Sequence, residues 1–226
     1  MSYPGLAGRV SEVRDQIAER QAVRGWTHEV TIIAVTKTHP AEAVRAASAA
    51  GLTAVGENRV QEALPKQEAL KDVAVEWHLI GSLQKNKARL AVNRFALIHS
   101  VDRLDLAVEL DRRAAGSQAV LVQVNCSGEP QKGGIEPDAL PDLLEHLAAL
   151  PQVQVRGLMT MAELTDDPAV QRRAFALLRR LRDEAENGGP RLPELSMGMS
   201  GDYLVAVEEG ATMVRLGTIL FGERGR

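Results

Sequence analysis

The 226 residues contain one cysteine, Cys126, so no disulfide can form within the chain. That usage suits a reducing compartment, and a lone thiol cannot build a cysteine-based zinc site. Aromatic residues make up only 3% of the chain, which leaves Ala, Val, Leu and Ile to fill the core. Lysine is scarce as well: of 27 basic residues, 6 are Lys and 21 are Arg. Neither sign of charge dominates. The formal net charge is −3, and no basic tail or aromatic-basic stripe appears, so nothing here recruits nucleic acid or an anionic membrane. No apolar stretch reaches the roughly 20 residues of a membrane span, and Met1 to Val10 has no apolar signal-peptide core. These absences predict a soluble, cytoplasmic protein with no nucleic-acid or membrane partner.

What is present is a regular alternation of strand and helix patterns. Short apolar runs fall at 30–36, 53–55, 76–80, 95–99, 119–124, 153–158, 194–197 and 212–216. Helical spacing fills the gaps: Leu140, Leu143, Leu144 and Leu147 share one face, as do Val170, Ala174, Leu177, Leu178 and Leu181. Asp167-Pro168 reads as an N-cap followed by Pro in the first turn. Gly188-Gly189-Pro190 ends that helix, and Gly210 ends another near 202–209. A further helix near 5–24 precedes the first strand. Eight βα units in about 200 residues predict a single (β/α)8 TIM barrel with an additional N-terminal helix, spanning 1–226 as one domain. An open doubly wound sheet is the alternative, but no Gly-x-Gly-x-x-Gly turn follows the first strand.

Three segments carry chemistry. Lys37 ends the run Val30 to Thr36, which reads as a buried parallel strand. A partly dehydrated amine at a strand mouth is a usable nucleophile toward a carbonyl; taken alone, the residue fits equally a lysine that ends a strand and reaches for water. The second segment, Ser196 to Asp202, follows a strand and opens a helix, so backbone N–H groups and a hydroxyl can face an anion. The third, Met213 to Gly222, places Gly217 and Thr218 after the last strand. In (β/α)8 barrels the loops after strands seven and eight commonly bind phosphate. Because the ring closes between strands eight and one, Lys37 would stand beside them. An aldehyde that also carries a phosphate suits such a rim. Pyridoxal 5′-phosphate fits, and so does a sugar phosphate held by a Schiff-base aldolase.

Ala34-Val35-Thr36-Lys37-Thr38, Gly56-Glu57-Asn58, Trp77-His78-Leu79-Ile80-Gly81, Leu83-Gln84-Lys85-Asn86-Lys87, Gln123-Val124-Asn125, Lys132-Gly133-Gly134, Gly157-Leu158-Met159, Ser196-Met197-Gly198-Met199-Ser200 and Met213-Val214-Arg215-Leu216-Gly217-Thr218 occur in this order over nearly the whole chain. Together they resemble the pyridoxal phosphate homeostasis protein family. The resemblance implies a barrel of the alanine-racemase N-terminal-domain type (fold type III). It implies pyridoxal 5′-phosphate held as a reversible Schiff base in vitamin B6 homeostasis, without catalytic turnover. Lys37 would form the covalent link, Ser200, Gly217 and Thr218 would hold the phosphate, and Arg215 would face the pyridine nitrogen. Asn58 and His78 would line the cofactor face. Thr36 stands where many relatives carry Ser. Tyr203, after the phosphate loop, reads as an inward-packing helix residue rather than a catalytic acid.

A guanidinium can only donate, so Arg215 would keep the ring nitrogen unprotonated and the ring a weak electron sink. That suits cofactor holding or racemase-like proton transfer. A pyridoxal phosphate-dependent amino-acid racemase is the alternative function. Racemases of this barrel type, however, add a β-rich domain with an opposing tyrosine. No such stretch follows the eighth strand here, and neither Tyr3 nor Tyr203 is placed as a second base. The resulting expectation is a monomeric, non-enzymatic carrier that passes the cofactor to apoenzymes.

The remaining groups read as structural. His28, His39, His78, His99 and His146 show no metal-ligand spacing. Cys126 reads as a small buried hydrophobe. Arg172, Arg173, Arg179, Arg180 and Arg182 read as a solvated helix face. Lys85 to Arg89 either guards the cofactor mouth or begins a surface helix. Glu57 could orient Asn58 but reads more readily as a cap for the next helix.

Overall fold

A computed structural model describes residues 3–222. The strands are β1 (Thr31–Val35), β2 (Ala54–Glu57), β3 (Glu76–Leu79), β4 (Leu97–Val101), β5 (Gln118–Gln123), β6 (Val153–Met159), β7 (Glu194–Met199) and β8 (Met213–Leu216). The helices are α1 (Leu6–Arg24), α2 (Ala41–Ala49), α3 (Val60–Ala69), α4 (Ala88–Ala91), α5 (Leu104–Arg113), α6 (Leu140–Ala148), α7 (Pro168–Glu186), α8 (Tyr203–Glu208) and α9 (Thr218–Phe221). The strands pair in chain order, all parallel, and β8 returns to β1 to close the barrel. The closing register runs from Thr31 opposite Met213 to Ala34 opposite Leu216. The open doubly wound sheet is thereby excluded.

Strand residues alternate between two apolar environments, following the period of two. Ile33, Ala54, Leu97, Leu121, Met159 and Met213 fill the barrel interior. Their neighbours, among them Ala34, Val55, Ile98, Val122, Leu158 and Val214, face the helical layer. There they meet residues such as Val44, Leu110, Leu143, Phe175 and Leu178. Burial on both faces explains why the strands read as apolar runs.

Helix signals translate as expected. Asp167 caps α7 by accepting the Ala169 N–H at 2.8 Å, with Pro168 in the first turn. Gly210, at φ 89°, takes the left-handed conformation just past α8. α1 buries Leu6, Val10, Val13 and Ile17 and packs on α8 and α9. Tyr203 is buried and donates to Gln16 of α1. Most strand bounds shift by one or two residues from the apolar runs. β4 begins at Leu97 rather than 95 and continues past 99 through the polar Ser100 to Val101. The segment after β8 turns at once into α9.

The arginines of α7 are only partly a solvated face. Arg172 and Arg179 bind the Glu209 carboxylate at 2.7 and 2.9 Å, and Arg24 of α1 reaches it at 3.2 Å. Arg172 also pairs with Glu208. These contacts tie α1 and α7 to the end of α8. Arg180 and Arg182 pair within their own helix, as exposed helical arginines do.

Gly157 sits where the β5–β6 register shifts, so that Val120 pairs Val155 and Leu121 pairs Gly157. A Cβ there would lie 1.9 Å from the Glu194 carbonyl oxygen of β7. The atoms it would meet are backbone atoms of Glu194, so no side chain can move aside. Gly157→Ala should therefore destabilise the barrel by more than about 3 kcal/mol; urea unfolding followed by circular dichroism checks this.

Candidate functional site

Parallel strands put every C-terminal end on one rim, and a cavity of about 610 Å³ opens there. Lys37, Asn58, Ser200, Arg215, Gly217 and Thr218 all line it. These six come from the ends of β1, β2, β7 and β8, and the β7–β8–β1–β2 order makes all four ends adjacent.

Lys37 stands in a tight turn. Thr36 closes it by accepting the His39 N–H at 3.1 Å, and Thr38 adopts φ 67°, a left-handed conformation costly for a β-branched residue. A buried cluster holds the turn from behind. The Glu57 carboxylate is fully buried and accepts the Thr36 hydroxyl at 2.6 Å. Lys66 of α3 bonds Glu57 at 2.6 Å and the Thr36 carbonyl at 2.8 Å. Glu57 thus neither caps α3, whose N-cap residue is Arg59, nor orients Asn58. Its partners lie across the β1–β2 seam at Thr36 and on α3 at Lys66, contacts that sequence neighbours do not reveal. Lys66, missed in the sequence, carries no pattern signal because it sits in an ordinary helical stretch.

Ser200 and the start of α9 form the adjoining wall. The N–H groups of Gly217 and Ile219 converge on the Ser200 hydroxyl oxygen at 3.3 and 3.4 Å. First-turn N–H groups lack partners within their helix, so this convergence is suited to an anion's oxygens. Asp202 accepts the Met199 N–H at 2.5 Å and thereby shapes the loop. Burial raises its carboxyl above the usual range, against the pull of Arg215.

Arg215 forms the floor. It is buried, donating to the Ser196 hydroxyl at 2.7 Å and the Thr160 carbonyl at 2.9 Å. Burial lowers its guanidinium to about 10, so it remains charged at neutral pH. His78 does not join the other six. It points into the barrel below the cavity and is 2% exposed, with Nδ1 2.9 Å from His99 Nε2. Residues at the inward positions of a short strand reach the mouth only near its last residue, and His78 precedes that end. His99 and Ser196 were not expected as part of the floor. The available signals were a histidine inside the largely apolar β4 and a serine inside β7.

Lys85 to Lys87 form a 3-10 turn leading into α4, and Lys85 pairs with Asp105 at 3.4 Å. They begin a helix and do not line the cavity. Burial raises the Cys126 thiol to about 11, an unreactive state. Among the described residues no cluster of His, Cys, Asp or Glu could hold a metal, and no helix is long and apolar enough to cross a membrane.

The barrel and its rim cavity define a protein of the alanine-racemase N-terminal type: the family profile described as "Alanine racemase, N-terminal domain" matches residues 14–225. More narrowly, the chain belongs to the pyridoxal phosphate homeostasis protein family. It is 47% identical to the Aquifex aeolicus pyridoxal phosphate homeostasis protein over 222 residues, 96% of this chain and 97% of that one. PipY of Synechococcus elongatus PCC7942, solved with PLP bound, superposes with a TM-score of 0.85 at 45% identity, covering 96% of this chain and 100% of that one. The alanine racemase of Corynebacterium glutamicum shares the fold alone: 20% identity, TM-score 0.71, with 93% of this chain matching 62% of that one.

Two outcomes test this geometry. Lys66→Met strands the buried Glu57 carboxylate and should cost about 3 kcal/mol of stability; adding Glu57→Gln should recover part of it in a double-mutant cycle by urea unfolding. His78 is pushed down to about 4 by burial, from an ordinary 6.5. The unfolded chain therefore takes up the proton first as pH falls. His78 should contribute stability that is intact above pH 6.5 and lost toward pH 4, about 3 kcal/mol in all. In His78→Gln the acid slope of unfolding free energy should shrink by about one proton.

Proposed function

We propose that this chain binds pyridoxal 5′-phosphate and holds it reversibly, as a carrier in vitamin B6 homeostasis rather than as a catalyst. The observation that carries the reading is the closure of β8 on β1. It brings the Lys37 amine and the anion-suited wall of Ser200, Gly217 and Ile219 into one cavity. The residues fit the group. An amine stands where an aldehyde can be met, converging N–H donors suit a phosphate, and a charged Arg215 suits an unprotonated ring nitrogen. The solved PLP-bound PipY and the names of the relatives support the same ligand.

When bound, the cofactor would supply an aldehyde that reacts reversibly with amines and, in enzymes, an electron sink. The work of the chain is the rest. Lys37 would be the covalent anchor, set by the strained turn at Thr38 and the Glu57–Lys66 pair behind it. Ser200, Gly217 and Thr218 would take the phosphate, and Asn58 would line the cofactor's face. Arg215 cannot deliver a proton at neutral pH, which keeps the electron sink weak. Holding is favoured over racemisation by the two tyrosines. Tyr203 is engaged with Gln16, Tyr3 faces His39 Nδ1 at 3.2 Å, and neither lines the cavity. We assign the chain one functional domain, a monomeric state, a cytoplasmic location, and apoenzymes as acceptors of the cofactor.

Lys37→Ala should abolish the visible absorbance gained on adding pyridoxal phosphate and the borohydride-fixed adduct found by peptide mass mapping. The thermal melt should stay close to wild type, because a rim lysine adds little to an aliphatic core. An adduct retained elsewhere at full yield would refute the assignment. Incubation with L-alanine followed by chiral chromatography tests the racemase alternative: turnover above that of Lys37→Ala would overturn the carrier reading.

A further inference from the structure

Beneath the cavity a connected polar string runs among the apolar side chains of the barrel interior. Arg215 donates to Ser196 Oγ at 2.7 Å, Ser196 Oγ lies 2.9 Å from His99 Nδ1, and His99 Nε2 lies 2.9 Å from His78 Nδ1. All four side chains are buried. The string crosses from β8 through β7 and β4 to β3, over the layer formed by Leu97, Met159 and Met213.

Donor and acceptor counting gives the string a single direction. A guanidinium only donates, so Ser196 Oγ accepts from Arg215. Arg215 and His99 are its described side-chain partners, so the arrangement that also places the hydroxyl's own proton has Ser196 donating to His99 Nδ1, whereas accepting from both would leave that proton without a side-chain partner. A neutral imidazole that accepts at Nδ1 carries its proton at Nε2, and His99 Nε2–H therefore donates to His78 Nδ1. His78 in turn carries its proton at Nε2. That atom is buried with no hydrogen-bond partner, and the nearest carboxylate oxygen, on Glu76, lies 3.8 Å away, beyond bonding distance. Every lone pair in the string thus points toward Arg215, and the unsatisfied donor is placed at the far end. No carboxylate is hydrogen-bonded to Arg215. Its other described partner is the Thr160 carbonyl.

We propose that His99, acting through Ser196 and backed by His78, positions Arg215, holding the guanidinium in one orientation without a hydrogen-bonded carboxylate. Asp202 nonetheless attracts it from the cavity wall. The proposal rests on the reading of Arg215 as a ligand-facing group. It assigns His78 and His99 a role that neither contact with the cofactor nor metal binding would explain. An ion pair would fix the arginine equally well but would cancel the charge that the cavity presents. A string of neutral, aligned dipoles fixes it and keeps that charge.

The test begins on wild-type protein without ligand. Isotope-edited NMR of the imidazoles at neutral pH should find His78 and His99 both neutral, with the proton on Nε2, and the Arg215 guanidinium signals slow to exchange with water. In Ser196→Ala, at unchanged circular dichroism, those guanidinium signals should be lost, and pyridoxal phosphate should bind about tenfold more weakly. His99→Gln, which can still accept from Ser196, should keep the signals and most of the affinity. Either ring protonated at Nδ1 in wild type, or a Ser196→Ala protein that keeps both the arginine signals and the affinity, would overturn the proposal. Should a variant fail to fold, the wild-type tautomers still decide. If wild-type protein takes up no pyridoxal phosphate, the carrier reading fails, while the ligand-free spectra still judge the string.

Discussion

The pairing of β8 with β1 is the contact on which the site depends. Four residues of register, from Thr31 opposite Met213 to Ala34 opposite Leu216, turn a row of strands into a ring. Without that closure, segments some 160–180 positions apart in the chain would sit at opposite edges of a sheet. With it, Lys37 and the loops at Ser200 and Gly217 share a wall, and parallel pairing places them all at the same end. A closed barrel also leaves no unpaired strand edge. The geometry that builds the cavity thus also satisfies the backbone.

Two ionised groups lie buried beneath that rim, and the chain treats them differently. Glu57 is neutralised at short range by Lys66, and the pair spends its hydrogen bonds on the backbone that leads to Lys37. Arg215 has no hydrogen-bonded carboxylate among the described residues and is solvated by the Ser196 hydroxyl and the Thr160 carbonyl. Burying a charge without a counter-ion is expensive unless polar groups replace its water. The contrast follows from position: the first charge lies behind the cavity wall, the second forms its floor.

The same barrel serves racemases, as the 20% identical neighbour from Corynebacterium glutamicum illustrates, so architecture alone does not decide what is done with a bound group. What separates holding from turnover is the supply of movable protons. Arg215 is charged at neutral pH, both described tyrosines are turned away from the cavity, and Cys126 is raised out of the reactive range. The imidazoles beneath the floor are held neutral by burial.

The rhythm of apolar runs and helix caps was enough to read eight βα units, the N-terminal helix and the rim position of Lys37, because burial on both faces and 3.6-residue spacing leave local marks in the chain. Asp167-Pro168 and Gly210 carried the same kind of local information. The resemblance of ordered motifs supplied residue roles that no periodicity encodes. Contacts across strands were not legible. Glu57 read as a helix cap, His78 as a cavity residue and Arg172 as a solvated side chain, since their partners Thr36, His99 and Glu209 lie 21 to 37 positions away. Local sequence thus sets which segments become strands and where the rim falls. Which buried polar groups meet depends on strand order, register and inward or outward facing, and these exist only once the ring has closed.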